Sequence, residues 1–121
     1  MFDNKNKPTG LKRIYLASLN SFRAFKWLYQ NESAFKQEIL LLIAAIPTTF
    51  WFNISYKEQA VLILSILFII FTEIINTAIE AVVDRVGLEI HHLSGLAKDL
   101  GSAAVFISMI IAASTWAVIL L

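Results

Sequence analysis

Cysteine is absent from the 121 residues. That removes disulfides and thiolate zinc sites and leaves only oxygen or imidazole to hold a metal. Charge is scarce: 16% of the residues are Asp, Glu, Lys or Arg, against 58% that are hydrophobic, and the mean hydropathy is +0.69. A soluble domain is not expected from such a composition, which reads as a small integral membrane protein. No G-x-x-x-x-G-K-[ST], G-x-G-x-x-G, H-R-D or D-F-G pattern occurs, which excludes the usual phosphate-cradling loops and kinase signatures. No internal repeat or low-complexity tract is present, so the chain is read as one domain. Its first residues, Asp3 to Pro8, lack an apolar run followed by a cleavage site, and a removable signal peptide is not expected.

What is present is a series of apolar segments with polar joints. From Thr9 to about Tyr29, Leu11, Ile14, Tyr15, Phe22, Phe25 and Tyr29 fall on one side of a helix, opposite Lys12, Arg13, Asn20 and Arg23. The pattern fits an amphipathic helix on a membrane surface, or one packed on a partner subunit. Asn31-Glu32-Ser33 then reads as a helix start. The apolar run Ile39–Phe52 is short and contains Pro47. It becomes a kinked first span over 34–54 if Lys36 and Glu38 snorkel to the interface. Ser55-Tyr-Lys-Glu58 has the form of a capping box and marks the start of a second span, 60–83. Residues 84–99 form a polar connector, and a third span, 101–121, carries no charge. Within it Ala104, Ser108 and Ala112 recur every four residues, a spacing that lets another helix approach closely. Seven of the ten basic residues precede the apolar run Ile39–Phe52, one (Lys57) follows it, and Arg85 and Lys98 lie in the connector. The positive-inside rule therefore puts the N-terminus and the connector in the cytoplasm.

The second span ends in Thr72-Glu-Ile-Ile-Asn-Thr-Ala-Ile-Glu-Ala-Val-Val-Asp84. Glu73, Asn76, Thr77, Glu80 and Asp84 share one narrow helical face. Acids inside a membrane segment are costly and mark functional sites. A deep Glu73 suits a general base, and a Glu80 near the boundary suits a nucleotide-bound Mg2+. The plainer alternatives are a carboxyl gluing helices for Glu73 and an interhelical amide for Asn76. Asp84 and Arg85 also fit a solvated helix end, Lys98-Asp99 an interfacial anchor, Glu32 a favourable acid at a helix start, and Arg13 and Arg23 lipid headgroup contacts. His91 and His92 diverge on a helix and make no metal pair. Enclosing the polar stripe within so small a chain points to a homo-oligomer.

The run Glu73-Ile-Ile-Asn76-Thr-Ala-Ile-Glu80-Ala-Val-Val-Asp84-Arg85, followed by His92-Leu-Ser-Gly95-Leu-Ala-Lys98-Asp99-Leu-Gly-Ser102-Ala-Ala-Val, closely resembles the prokaryotic diacylglycerol kinase family. Asn31-Glu32-Ser33-Ala34-Phe35-Lys36-Gln37-Glu38 resembles that family's segment before its first span, and the likeness covers almost the whole chain. The resemblance implies an all-α membrane protein with a surface helix (9–29) and three transmembrane helices per subunit. It further implies a homotrimer with shared active sites in the bacterial inner membrane. The implied reaction is transfer of the γ-phosphoryl of ATP, with Mg2+, to diacylglycerol. Glu73 would be the general base with Asn76 supporting it, and Glu32 and Glu80 would hold the metal. Arg13, Asn20, Glu32, Glu80, Asp84, Glu89, His91, Lys98 and Asp99 would contact nucleotide, and Arg13, Glu73 and Ser102 the lipid. No nucleic-acid partner is implied. The family commonly has an aromatic residue near position 20 and an acidic one after His91, where this chain has Asn20 and His92. Undecaprenol kinase is the neighbouring alternative, although the H-L-S-G-x-A-K-D pattern resembles the diacylglycerol branch more. From other classes, a proton or cation conduit lined by Glu73 and Glu80 and a purely structural membrane subunit are the competing readings.

Overall fold

The computed structural model describes residues 7–87 and 89–121. The expectation about a signal peptide, and the charge of Lys5, fall outside the described residues. Those described form four helices and no strand: α1 (Gly10–Asn31), α2 (Ser33–Trp51), α3 (Tyr56–Val86) and α4 (His92–Leu120). They divide into two units, one reaching to Lys36 and the other Gln37–Leu121.

In the first unit, α1 starts after the extended Thr9, with Gly10 at φ +65°, a backbone conformation that favours glycine. Leu11, Ile14, Tyr15, Phe22, Phe25 and Tyr29 are all exposed, and Leu28 is the buried residue of α1. Phe25 stacks on Phe35 with ring centroids 6.5 Å apart, and the Lys36 ammonium lies 5.4 Å from the Tyr29 ring centroid. The break between α1 and α2 falls on Glu32, which is extended while its N–H still bonds Leu28 O at 2.8 Å.

In the second unit, α2 runs through Pro47 and stops at Trp51, so the expected helical stretch to residue 54 is three residues too long. Ile54 instead donates to Phe52 O at 3.0 Å in a tight turn. The turn leads into the capping box, which is fully formed: Ser55 Oγ accepts from Glu58 N and Glu58 Oε1 accepts from Ser55 N, both at 3.1 Å. Glu38, expected to snorkel, is buried, with Oε1 lacking a hydrogen-bond partner. It shares its helical face with the buried Ala45 and Thr49, at i+7 and i+11, so it turns inward with them. Thr49 Oγ1 in turn accepts from Gln59 Nε2 at 2.9 Å, which ties α2 to α3.

α3 and α4 are the closely packed pair of this unit. Trp116 Nε1 donates to Leu62 O and Ser65 Oγ at 3.2 and 3.1 Å, the Thr72 and Ser108 hydroxyls meet at 2.9 Å, and Lys98 pairs with Asp84 at 2.8 Å. Partners descend along α4 as they rise along α3, so the helices run antiparallel. The buried face of α4 is Gly101, Val105, Ser108 and Ala112. Ser108 and Ala112 thus lie where the small-residue spacing put them, but Ala104 is exposed and Val105 and Gly101 take its place. Steps of four, three and four are those of helices packed at a shallow angle, whose contact line an unbroken i+4 row drifts away from.

α3 and α4, with 31 and 29 residues, are long and apolar enough to cross a membrane. α2 is not of that class, because Lys36, Gln37 and Glu38 near its start and Pro47-Thr48-Thr49 near its end dilute it. The polar connector is also shorter than expected: 84–86 complete α3 and 92–99 already belong to α4, leaving 87–91 between the helices.

Candidate active site

The acidic face of α3 forms as the spacing requires, and its burial is graded. Glu73, Asn76 and Thr77 are buried, Glu80 is half-buried and Asp84 is exposed. At 1.5 Å per residue Glu73 and Glu80 are roughly 10 Å apart along the axis, so the two carboxylates serve different points. Asn76 Nδ2 donates to Glu80 Oε1 at 3.4 Å, a long contact that still orients the amide. Asn76 Oδ1 and Thr77 Oγ1 are buried with no hydrogen-bond partner among the described residues.

Beyond the exposed end of this line, the close of α3 and the start of α4 border an open cavity of about 380 Å³. Asp84, Glu89, His91, Ser94 and Lys98 line it, so four of the expected nucleotide contacts converge there. The His91 imidazole caps α4, with Nδ1 accepting from Leu93 N at 3.1 Å. The first turn of a 29-residue helix therefore borders the cavity, with Gly95 in its wall. The positive end of the helix dipole and the Lys98 ammonium attract an anion there, against the opposing carboxylates of Asp84 and Glu89 in the same wall.

The remaining expected residues are more scattered. Asp99 and Ser102 are exposed on α4 and do not line this cavity. Ser102 follows Gly101, and the ~100° helical step carries it off the face that Gly101 turns to α3. Arg13, Asn20 and Glu32 belong to the first unit. Arg13 is exposed and borders a groove of about 350 Å³ with Ser18, Ser21, Phe22 and Phe25, while Asn20 and Glu32 are half-buried. Among the described residues no three Asp, Glu or His side chains converge as metal ligands. Glu80 is nevertheless an oxygen donor of the class Mg2+ takes. That ion commonly completes its shell with water and phosphate oxygens around one or two carboxylates, so a sparse donor set fits it.

Two residues of the site escaped the sequence reading. Glu38 interacts electrostatically with Glu73, so a second carboxyl faces the acidic line from α2. Its spacing to Ala45 and Thr49 was the available signal. Gly101 is the other: a side chain there would run into Asn76 Oδ1.

Two kinds of likeness to known proteins bear on this geometry. A family model described as "Prokaryotic diacylglycerol kinase" matches residues 19–120. The diacylglycerol kinase of Escherichia coli K12 is 43% identical over 115 residues, covering 95% of this chain and 94% of that protein. The diacylglycerol kinase of Pseudomonas aeruginosa is 46% identical over 113 residues, covering 93% and 92%. That of Haemophilus influenzae is 41% identical over 114 residues, covering 94% and 97%.

Proposed function

The chain belongs to the prokaryotic diacylglycerol kinase family, and on that premise we propose that it transfers the γ-phosphoryl group of ATP to the primary hydroxyl of diacylglycerol, forming phosphatidic acid. The observation that carries this reading is the graded acidic line of α3 leading from a buried Glu73 to the polar, charged cavity around Lys98. An apolar alcohol and a polar triphosphate need opposite surroundings, and the two ends of that line differ in this way.

In this scheme the Glu73 carboxylate removes the hydroxyl proton as the lipid oxygen bonds to the γ-phosphorus, and the bond to the β–γ bridging oxygen breaks to release ADP. In-line positioning and charge neutralisation supply most of the catalysis such a transfer requires. Lys98, His91, Glu89, Asp84 and Asp99 attend the nucleotide, with Arg13 and Asn20 contributing from the surface helix. Glu80 and Glu32 are the donors proposed for Mg2+, which neutralises charge on the phosphates when bound. Asn76 orients Glu80 through its amide, and Arg13 and Ser102 help hold the lipid. An apolar cavity of about 420 Å³, lined by Leu41, Ala45, Ile66, Ile69, Met109 and Trp116, lies one helical turn from Glu73 at Ile69 and suits an acyl chain. We further propose that α2 completes a set of three spans, that the N-terminus and the 84–99 connector face the cytoplasm, and that three copies share active sites in the inner membrane. That no three Asp, Glu or His side chains converge among the described residues of one chain favours such sharing.

The test is ATP-dependent lipid phosphorylation by purified protein in mixed micelles, with diacylglycerol and undecaprenol offered separately. Labelled phosphatidic acid is expected, and Glu73→Gln should lower its formation by ~10²-fold or more. Phosphorylation of undecaprenol alone would reassign the substrate. Ion flux into liposomes without any phosphorylated lipid would replace the enzymatic reading with a conduit.

A further inference from the structure

We propose that Gly101 is a positioning residue for the metal-holding carboxylate, acting through Asn76. This rests on the reading of Glu80 given above. Gly101 is buried on the face of α4 that meets α3. A β-carbon built there would overlap Asn76 Oδ1, would approach Asn76 Cγ to 3.2 Å, and would make only ordinary contact with Ile79 Cδ1 at 3.7 Å. The conflict is therefore specific to one amide. The hydrogen that a methyl would replace points at Asn76 Oδ1, which is buried with no conventional hydrogen-bond partner, an arrangement in which a Cα–H contact compensates weakly. With the oxygen seated against Gly101, the amide nitrogen is turned toward Glu80 Oε1, to which it donates at 3.4 Å. Oδ1 is the far end of a flexible side chain, so Asn76 can swing aside for a methyl, and the proposal is that this swing gives up the bond to Glu80. Gly101 thus sets the aim of Asn76, and Asn76 that of Glu80.

The proposal also predicts a sign. In a helix interior, replacing glycine by alanine ordinarily stabilises, because glycine carries the larger entropic cost. Gly95, earlier in the same helix, would meet nothing within 4 Å and serves as the stability control. The experiment compares Gly101→Ala, Asn76→Ala, the double variant and Gly95→Ala, each as purified full-length protein in detergent. Unfolding midpoints are measured for all four, and initial rates against Mg2+ and against lipid for Gly101→Ala.

Gly95→Ala should be neutral or stabilising. Gly101→Ala should lower the midpoint and raise the apparent Mg2+ requirement several-fold, leaving the KM for lipid unchanged. In the Asn76→Ala background the same substitution should no longer destabilise, and this holds even if the single variant folds poorly. Destabilisation that persists without the Asn76 side chain would overturn the proposal. So would a loss confined to the active fraction, with unaltered Mg2+ dependence, since a purely structural role predicts that result. If Glu80→Gln leaves Mg2+ dependence unchanged, the metal role of Glu80 fails, whereas the coupling of midpoints at 101 and 76 would still report the contact itself.

Discussion

Asp84 and Lys98 are each exposed enough that their 2.8 Å ion pair contributes little to folding. Its value is electrostatic: it holds an ammonium at the wall of a cavity that also collects Glu89 and His91. On the proposed nucleotide role, an arriving triphosphate would offer Lys98 a denser set of charged acceptors than one carboxylate does. Lys98→Met is accordingly expected to raise the KM for ATP on the order of tenfold with no change in unfolding midpoint, as steady-state kinetics and thermal unfolding would register. A lowered midpoint with unchanged KM would make the pair structural instead. Neither residue is decisive in the sequence, because a charged residue at a helix end is equally well explained by solvation or anchoring. Only the approach of the end of α3 to the start of α4 joins them.

Between α3 and α4 the Thr72 and Ser108 hydroxyls lie 2.9 Å apart, while each also lies within hydrogen-bond distance of a carbonyl in its own helix, Ile69 O at 2.8 Å and Val105 O at 2.6 Å. Two protons cannot serve three contacts at once, so the cross-helix bond forms at the expense of a local one. Ser108 is fully buried, and its small volume is worth more than its hydroxyl. Ser108→Ala should therefore cost only about 0.6 kcal/mol, typical of such bonds in membranes, whereas Ser108→Leu should cost about 1–3 kcal/mol through overpacking. Equilibrium unfolding in detergent gives both values, and a larger loss for alanine would invert the ranking. Small residues at helical spacing were visible in the chain, but an i+4 row and an alternating four-and-three row share Ser108 and Ala112. The partner helix chose between them, burying Val105 and Gly101 and leaving Ala104 outside.

A bilayer core is ~30 Å thick and takes about 20 helical residues, whereas α3 has 31 residues and α4 has 29. The excess of each is the polar part: the last turns of α3 from Glu80 onward and the first turns of α4 before Gly101. The antiparallel pairing brings those two excesses to the same end, where the cavity around Lys98 forms. Deeper along the molecule, α2, α3 and α4 together wall the apolar cavity of about 420 Å³. Ala113 also lines it, and if an acyl chain occupies the cavity, Ala113→Phe should depress turnover of long-chain diacylglycerol by about tenfold or more while sparing a short-chain substrate. Equal loss on both substrates, measured as kcat/KM, would mean that the cavity does not hold the lipid.

Helix identity, the capping box at Ser55 and the acidic face of α3 were determined by the sequence alone, because each rests on local spacing along one helix or on groups three residues apart. The resemblance to the kinase family was legible for the same reason, since its motifs are short and contiguous. Which way Glu38 turns, which small residues of α4 meet α3, and how Asp84, Glu89, His91 and Lys98 come to share a cavity were decided by tertiary structure. Each depends on the phase of one helix against another, and phase is set by packing across tens of residues.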